Sequence, residues 1–94
     1  MAVTDERAII TVLGRDCVGI LAGIASVLAE ANVNVLDINQ TIIQEFFSMI
    51  MIVDLKDSTF PFHQLKEQLK KKGEDLGVEV NIQRTEVFKV MHRI

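Results

Sequence analysis

One short stretch near the start of the chain, Gly14-Arg15-Asp16-Cys17-Val18-Gly19, combines charged, nucleophilic and flexible residues that could do chemistry. A predicted helix begins directly after it, so several backbone N–H groups without intrahelical partners point into this turn and carry partial positive charge. A helix start of this kind can bind a carboxylate or a phosphate. A simpler interpretation stays open, in which Asp16 caps the helix and the two glycines only shape the turn.

The turn does not have the pattern of a nucleotide site. It is too short for a Walker loop, lacks the Gly-Lys-Ser/Thr ending, and contains no G-x-G-x-x-G sequence. The free N–H groups could instead hold the anionic end of a small ligand, while Asp16 holds its cationic end. An amino acid carries both ends within a few atoms.

The other reactive residues lack the partners that catalysis or metal binding requires. Cys17 has no histidine near it in sequence to act as a base, so we expect a passive thiol. His63 and His92 have no metal-ligand spacing to any Cys, Asp or Glu motif, and the chain contains no Cys-x-x-Cys. No set of residues supplies a nucleophile, a base and a stabiliser together. We therefore expect no enzyme activity, no metal and no cofactor.

Composition limits the class of protein. Of the 94 residues, 49% are hydrophobic and 24% are charged, which excludes a disordered chain. Ten Lys and Arg against thirteen Asp and Glu give a net charge of −3, so we expect no nucleic-acid partner. The acidic start is unlike a signal peptide, and no apolar run approaches the roughly 20 residues of a membrane helix. With a single cysteine, these features predict a soluble, reduced, cytoplasmic domain without a membrane partner.

The hydrophobic pattern predicts six elements in the order strand, helix, strand, strand, helix, strand. Strands are predicted over 7–14, 33–44, 46–55 and 78–82, and helices over 18–31 and from Pro61 to a stop at Gly77. A tight turn near Gln44 and Glu45 joins the two middle strands. Two strand-helix-strand units in so short a chain describe an α+β fold. We expect the ferredoxin-like βαββαβ sandwich, a four-stranded antiparallel sheet with both helices on one face.

Two of these elements are too apolar for an isolated monomer. In the first helix only Ser26 and Glu30 are polar, although a helix on a sheet should have a polar outer face. The third strand is apolar on both sides, and a ferredoxin-like sheet leaves its second face open unless something covers it. We therefore expect at least a dimer, with Ser26 at an outward position of the first helix. The alternative is that Ala and Gly only let this helix pack closely on the sheet.

The chain also resembles a known family. Three features are similar to the ACT domain: a strand that ends in Gly-Arg-Asp-Cys-Val-Gly-Ile-Leu, an apolar Ala-rich helix, and Ala-Asn-Val-Asn-Val-Leu at the next strand. The usual ACT pattern is Asp/Asn-x-x-Gly-Ile/Val-Leu followed by Val-Asn-Ile. The length is similar to that of single-domain bacterial ACT proteins, an uncharacterised family related to the regulator of the glycine cleavage system. The resemblance implies one ACT-like domain over 1–94, with a core of about 7–88 and a short C-terminal extension over 89–94.

The resemblance implies a regulatory module without catalysis of its own. ACT domains generally pair through the first helix and the second strand, and bind amino acids or similar ligands at that junction. By position, Gly14, Asp16 and Gly19 would line the ligand, and Asn34 would reach in from the second strand. Amino-acid-sensing ACT domains often have Asn at the position of Asp16; an ionised Asp cannot donate a hydrogen bond to a carboxylate, but it can pair with an ammonium group. For Asn34 the alternative is a hydrogen bond to the local backbone.

Together these interpretations predict a non-enzymatic module that binds a small amino-acid-like ligand at the interface of a homodimer or a larger homo-oligomer. The expected ligand-binding residues are Gly14, Arg15, Asp16, Cys17, Val18, Gly19, Ile20 and Asn34. The alternative is the same dimer without a ligand, acting on a partner enzyme or transcription factor. A ligand that binds the native state raises its stability, so a ligand-dependent thermal shift separates the two.

Overall fold

The computed structural model describes residues 6–15 and 19–85. Six elements follow one another in the predicted order: β1 (Arg7–Arg15), α1 (Ile20–Glu30), β2 (Asn34–Ile43), β3 (Phe46–Asp54), α2 (Phe62–Leu76) and β4 (Glu79–Arg84). Each end lies within two residues of the predicted one. No helix in the described part of the chain is long and apolar enough to cross a membrane.

The four strands form one antiparallel sheet in the order β2-β3-β1-β4. β1 lies inside the sheet because it pairs with β3 on one side and with β4 on the other. β2 and β4 are left at the two edges. This strand order and the two helices confirm the ferredoxin-like fold that the sequence predicts.

The core lies between the sheet and the two helices. Alternate residues of β1 and β3 are buried on the helix side, with Ile10, Val12, Met49 and Met51 fully enclosed. The buried residues of the helices are Ile20, Ile24, Val27, Leu28, Leu65, Leu69 and Gly73. Because each large aliphatic side chain contributes roughly 1.5–3 kcal/mol on burial, this single apolar layer is what holds the helices to the sheet.

Two glycines let the connection between α2 and β4 pack tightly against the first half of the chain. A Cβ added at Gly14, near the end of β1, would lie 2.5 Å from Cγ1 of Val78. A Cβ added at Gly23 of α1 would lie 2.8 Å from Cδ1 of Leu76. Between these two contacts, Gly77 ends α2 in the left-handed conformation, with φ of 76°, as the sequence predicts.

β2 contains one irregularity. Its pairing with β3 moves from Val35 directly to Asp37, so Leu36 is an extra residue, a β-bulge. Beyond the bulge, the residues that pair with buried residues of β3, and therefore lie on the helix side of the sheet, are Ile38, Gln40 and Ile42.

Left-handed residues stand at both ends of β2. Asn32, which follows α1, has φ of 59°, and its Nδ2 donates a hydrogen bond of 3.0 Å to the carbonyl oxygen of Asp57. Gln44, in the turn to β3, has φ of 57°. The turn at Gln44 and Glu45 confirms the predicted connection between the two middle strands.

Candidate functional site

The candidate turn joins β1 to α1 at one end of the sheet. Gly14 and Arg15 are the last two residues of β1, and α1 begins after Gly19 with Ile20. Gly19 and Arg15 are exposed, whereas Ile20 is buried in the core. The rest of the predicted turn lies outside the described residues and comprises Asp16, Cys17 and Val18.

The first turn of α1 starts from a glycine. Gly19 is the N-cap residue, with φ of 89° in the left-handed region that glycine adopts without steric cost. The N–H of Gly23 donates the first helical bond to the Gly19 carbonyl oxygen, at 2.9 Å. No side chain of the described residues caps this helix. The N-cap position predicted for Asp16 is therefore held by Gly19, three residues further along the chain, and Asp16 itself lies outside the described residues.

Arg15 connects the candidate turn to the hairpin between β2 and β3. Its Nη2 lies 3.8 Å from Oε2 of Glu45, and the two side chains are 76% and 61% exposed. An exposed pair of this kind contributes between zero and about 1 kcal/mol to stability. The pair shows that the hairpin lies at the same end of the sheet as the turn.

Asn34 lies at the opposite end of the sheet. It begins β2 and pairs with Asp54, which in turn pairs with Arg7 at the start of β1. The eight residue-to-residue steps from Arg7 to Arg15 span about 27 Å of strand. The Asn34 side chain is exposed and has no hydrogen-bond partner among the described residues. One protomer therefore does not bring Asn34 to Gly14 and Arg15.

Exposed apolar side chains form two separate surfaces. The first, the α1/β2 surface, lies on the helix side at the β2 edge and includes Leu21, Ile38 and Ile42, which are 38%, 40% and 59% exposed. α2 packs on β4 and α1 packs on α2, so α1 covers the half of the sheet nearer β2. Gly23 faces α2, and helical residues two positions apart do not share a face. Leu21 and Ala25 therefore point away from α2, toward the β2 edge.

The second surface, the open sheet face, is the side of the sheet away from the helices. Its most exposed apolar side chains are Leu13, Ile43, Phe46 and Ile50, between 46% and 65% exposed. Half-buried Ile9 and Ile52 continue the surface toward the other end of the strands. Both surfaces agree with the expectation that the first helix and the third strand are too apolar for a monomer.

Ser26 is exposed, as predicted, but it does not belong to the α1/β2 surface. It lines a groove between the two helices together with Gln68, Lys71 and Asp75. The spacing of apolar residues identifies the buried face of α1 but does not show on which side α2 lies. Ala25, which is exposed on the side away from α2, is the position that sequence reasoning missed.

Comparison with known proteins agrees with this architecture. A family model for the ACT domain matches residues 6–83. The chain belongs to the ACT domain family. ACT domains are regulatory modules that bind small ligands.

Individual relatives support the single-domain ACT resemblance. A UPF0237 protein of Methanocaldococcus jannaschii is 51% identical to this ACT domain over 89 residues, which cover 95% of this chain and 99% of that protein. The solved structure of an ACT domain protein from Streptococcus pneumoniae is 38% identical, with a TM-score of 0.78 over 88% of this chain and 93% of that one. A putative glycine cleavage system transcriptional repressor, 21% identical with a TM-score of 0.71 over 84% of this chain and 45% of its own, shares the fold.

Proposed function

We propose that this ACT domain is a non-enzymatic regulatory module that binds a small amino-acid-like ligand between two copies of the chain. The observation that carries the proposal is the separation of the candidate residues along the sheet. Gly14 and Arg15 lie at one end of β1, and Asn34 lies about 27 Å away at the start of β2. A ligand of a few atoms cannot touch both ends within one protomer.

Pairing of two β2 edges would remove this separation. In an antiparallel pair about a two-fold axis, the first residue of one strand lies opposite the last residue of the other. The partner's Asn34 then lies beside Ile43, which the sheet register places next to Phe46 and Arg15. The two halves of the candidate site meet only in such a dimer.

The α1/β2 surface supports the same dimer. β2 is ten residues long, and Asp37 is its only charged residue. Long apolar edges promote pairing with another chain, whereas charged edges oppose it. A partner at this edge would also cover Leu21 and Ile42, and the small Ala25 would let the two α1 helices approach closely.

The chemistry of the turn favours an amino acid or a close analogue. The first N–H groups of α1 would hold a carboxylate, since a helix start carries partial positive charge. Asp16 would pair with the ammonium group, and Gly19, which has no side chain, would let the ligand approach the backbone. The neighbouring chain would supply the walls that exclude water from so small a ligand. The composition further supports a cytoplasmic location for this module, with its ACT core over about 7–88.

A thermal-shift screen of the twenty amino acids and related metabolites tests the proposal. At least one compound should raise the melting temperature of the wild-type protein, because it binds only the native state. Asn34→Ala and Asp16→Ala should each weaken binding of that compound at least tenfold, about 1.4 kcal/mol, without dissociating the dimer. Asn39→Ala removes an exposed amide from the same strand and should leave the affinity unchanged. If neither Asn34→Ala nor Asp16→Ala changes the affinity for the compound, the ligand binds at a site that does not include these residues.

A second candidate function keeps the dimer and dispenses with the ligand. The shared fold with a putative transcriptional repressor favours it, since a regulatory chain can act through contact with another protein. In that case no metabolite raises the melting temperature. The same screen therefore decides between the two candidates.

A further inference from the structure

The open sheet face remains uncovered in the dimer proposed above, because pairing of β2 edges only extends it. Soluble proteins rarely expose contiguous apolar patches of more than a few hundred Å² without a binding role. The charged residues of the face stand at its borders and are Arg7, Arg15, Asp37, Asp54 and Glu79. Between them lies an uncharged centre that contains Ile9, Ile50 and Ile52.

We propose that residues 86–94 of the same chain, here called the 86–94 segment, form a helix that packs on this uncharged centre. The segment follows Thr85 directly and lies outside the described residues. Its point of attachment, its sequence and its length each support this placement.

The chain leaves the sheet beside the start of β1. β4 ends at Arg84, which pairs with Ala8, and the next residue, Thr85, is helical. The hydroxyl Oγ1 of Thr85 donates a hydrogen bond of 3.2 Å to the carbonyl oxygen of Arg7. The backbone has thus turned from strand to helix at the point where the 86–94 segment begins.

Only one side of the sheet is free at this point. On the helix side α2 packs on β4, and the guanidinium carbon of Arg84 lies 4.6 Å from the centre of the Phe62 ring. On the other side, Ile9 and Ile52 form the first row of the open sheet face beyond the pair of Arg7 and Asp54. A segment that turns onto the open sheet face therefore meets apolar side chains at once.

The sequence of the 86–94 segment, Glu-Val-Phe-Lys-Val-Met-His-Arg-Ile, has the pattern of an amphipathic helix and not the alternation of a strand. With 3.6 residues per turn, four of its apolar residues fall within an arc of about 100°, the width of a stripe that faces a core. These four residues are Val87, Val90, Met91 and Ile94. The charged residues lie on the opposite side and are Glu86, Lys89 and Arg93. The segment therefore presents no charge to the apolar surface that it covers.

The length of the segment matches the uncharged centre. A helix of nine residues is about 14 Å long. The four steps of β1 from Arg7 to Thr11 also span about 14 Å, and they contain the rows of Ile52 and Ile50. Phe46, which pairs with Arg15, lies about 27 Å from the row of Arg7. The helix can thus cover the half of the open sheet face near Thr85 but cannot reach Phe46.

The attachment of the segment favours it over a second copy of the chain as the occupant. A segment joined directly to the edge of the face meets it at an effective concentration in the millimolar range, far above a protein concentration in the micromolar range. The segment also extends beyond the ACT model, which ends at residue 83. The match with the Methanocaldococcus jannaschii protein covers 89 of 94 residues, so it leaves five outside and continues to residue 89 or beyond. Part of the segment is therefore present in a single-domain relative.

Tryptophan fluorescence tests whether the segment is packed, because the chain contains no Trp and no Tyr of its own. Met91→Trp places an indole on the apolar stripe, and His92→Trp places one on the polar side as the matched control. The emission of Met91→Trp should lie at shorter wavelength, and acrylamide should quench it less. Equal emission and equal quenching in the two variants would overturn the proposal. Circular dichroism checks folding, and Val90→Trp, on the same stripe, serves if Met91→Trp unfolds.

Charges on the open sheet face test where the segment packs. In the Met91→Trp protein, Ile52→Lys should move the emission to that of His92→Trp, since the segment would have to bury the ammonium group. Phe46→Lys adds the same charge to the same face, about 27 Å from the row of Arg7, and should leave the emission unchanged. Ile50→Lys, at a position 46% exposed, serves if Ile52→Lys unfolds.

Two outcomes of this comparison would overturn the proposal. If Ile52→Lys and Phe46→Lys both move the emission, the occupant spans the whole face, as a second copy of the chain or another protein would. If neither variant moves it, the segment packs elsewhere, for example in the groove between α2 and β4 that Lys70, Glu74 and Val80 line.

A variant at the β2 edge separates this proposal from the dimer of the proposed function. By light scattering, Ile42→Lys should reduce the mass from 21.2 kDa, two chains of 10.6 kDa, to one chain of 10.6 kDa. The emission of Met91→Trp should not change, because the segment packs on its own chain. If the short-wavelength emission is lost together with the dimer, the segment packs on the partner and the proposal is wrong. A wild type of 10.6 kDa with short-wavelength emission keeps the proposal and overturns the dimer.

Discussion

The two edges of the sheet are built in opposite ways. β2 has ten residues, and its exposed apolar side chains are Leu36, Ile38, Ile42 and Ile43. β4 has six residues, of which the exposed ones are Glu79, Asn81, Gln83 and Arg84. Charged side chains on a short edge strand oppose pairing with other chains, and a long apolar edge permits it. The fold therefore leaves one edge available for assembly and protects the other.

The helices above these edges differ in the same way. α1 exposes the apolar residues Leu21, Ala22 and Ala25. α2 exposes charged residues along its outer side, among them Lys66, Lys70 and Glu74. The first helix is thus apolar on two sides, as expected for a helix between a sheet and a second chain. The second has the one apolar face of a helix at a protein surface.

The largest expected effect is on the mass of the assembly, when a charge is placed first on the β2 edge of the sheet and then on the β4 edge. Ile42→Lys should halve the mass of the wild-type assembly at micromolar concentration, because burying an unpaired ammonium group costs several kcal/mol. Gln83→Lys adds the same charge to β4 and should leave the mass unchanged. Analytical ultracentrifugation measures both. If the two variants dissociate equally, or if only Gln83→Lys does, the edges do not have the roles assigned to them.

A smaller effect is expected at the two glycines that join the halves of the molecule. Gly14→Ala should destabilise the protein by about 1–3 kcal/mol, since its new Cβ meets the branched Val78 side chain at 2.5 Å. At Gly23 the neighbour is the flexible end of Leu76, and Ala favours a helix by about 1 kcal/mol over Gly. Gly23→Ala should therefore change the stability by less than about 1 kcal/mol. Urea unfolding measures the free energy of unfolding of both variants. Equal losses of stability would mean that the α2–β4 connection accommodates a new Cβ as easily at β1 as at α1.

The smallest effects are expected at the two left-handed residues that bound β2. Gln44→Gly relieves the steric cost of a left-handed non-glycine residue, but glycine loses more chain entropy on folding. The net effect should be an increase of about 0.5 kcal/mol in the free energy of unfolding. Asn32→Gly should cost roughly 0.5–1 kcal/mol, since it also removes the hydrogen bond to Asp57. Thermal unfolding measures both variants: the melting temperature should rise for Gln44→Gly and fall for Asn32→Gly. A loss at both positions would indicate that the Gln44 side chain stabilises the hairpin.

The sequence alone predicts the element order and the ends of the elements well, because local signals mark them. Gly77 ends α2, and Gln44 and Glu45 form the turn, as their residue types indicate. The N-cap of α1 was less predictable, since Asp16 is a preferred capping residue and Gly19 depends on a left-handed backbone. The position of Asn34 could not be inferred from motif spacing. It depends on strand direction, which places the starts of β1 and β2 at the same end of the sheet.

The bulge at Leu36 sets the phase of the rest of β2. Side chains alternate with a period of two, so one extra residue exchanges the two faces of every residue that follows. In a strand without Leu36, Ile38 and Ile42 would turn to the open sheet face, and Asp37 and Asn39 would turn toward the helices. Loss of one residue here would thus exchange the side chains that β2 contributes to the α1/β2 surface and to the open sheet face. We therefore expect the number of residues in this strand to constrain assembly more strongly than the identity of most of them.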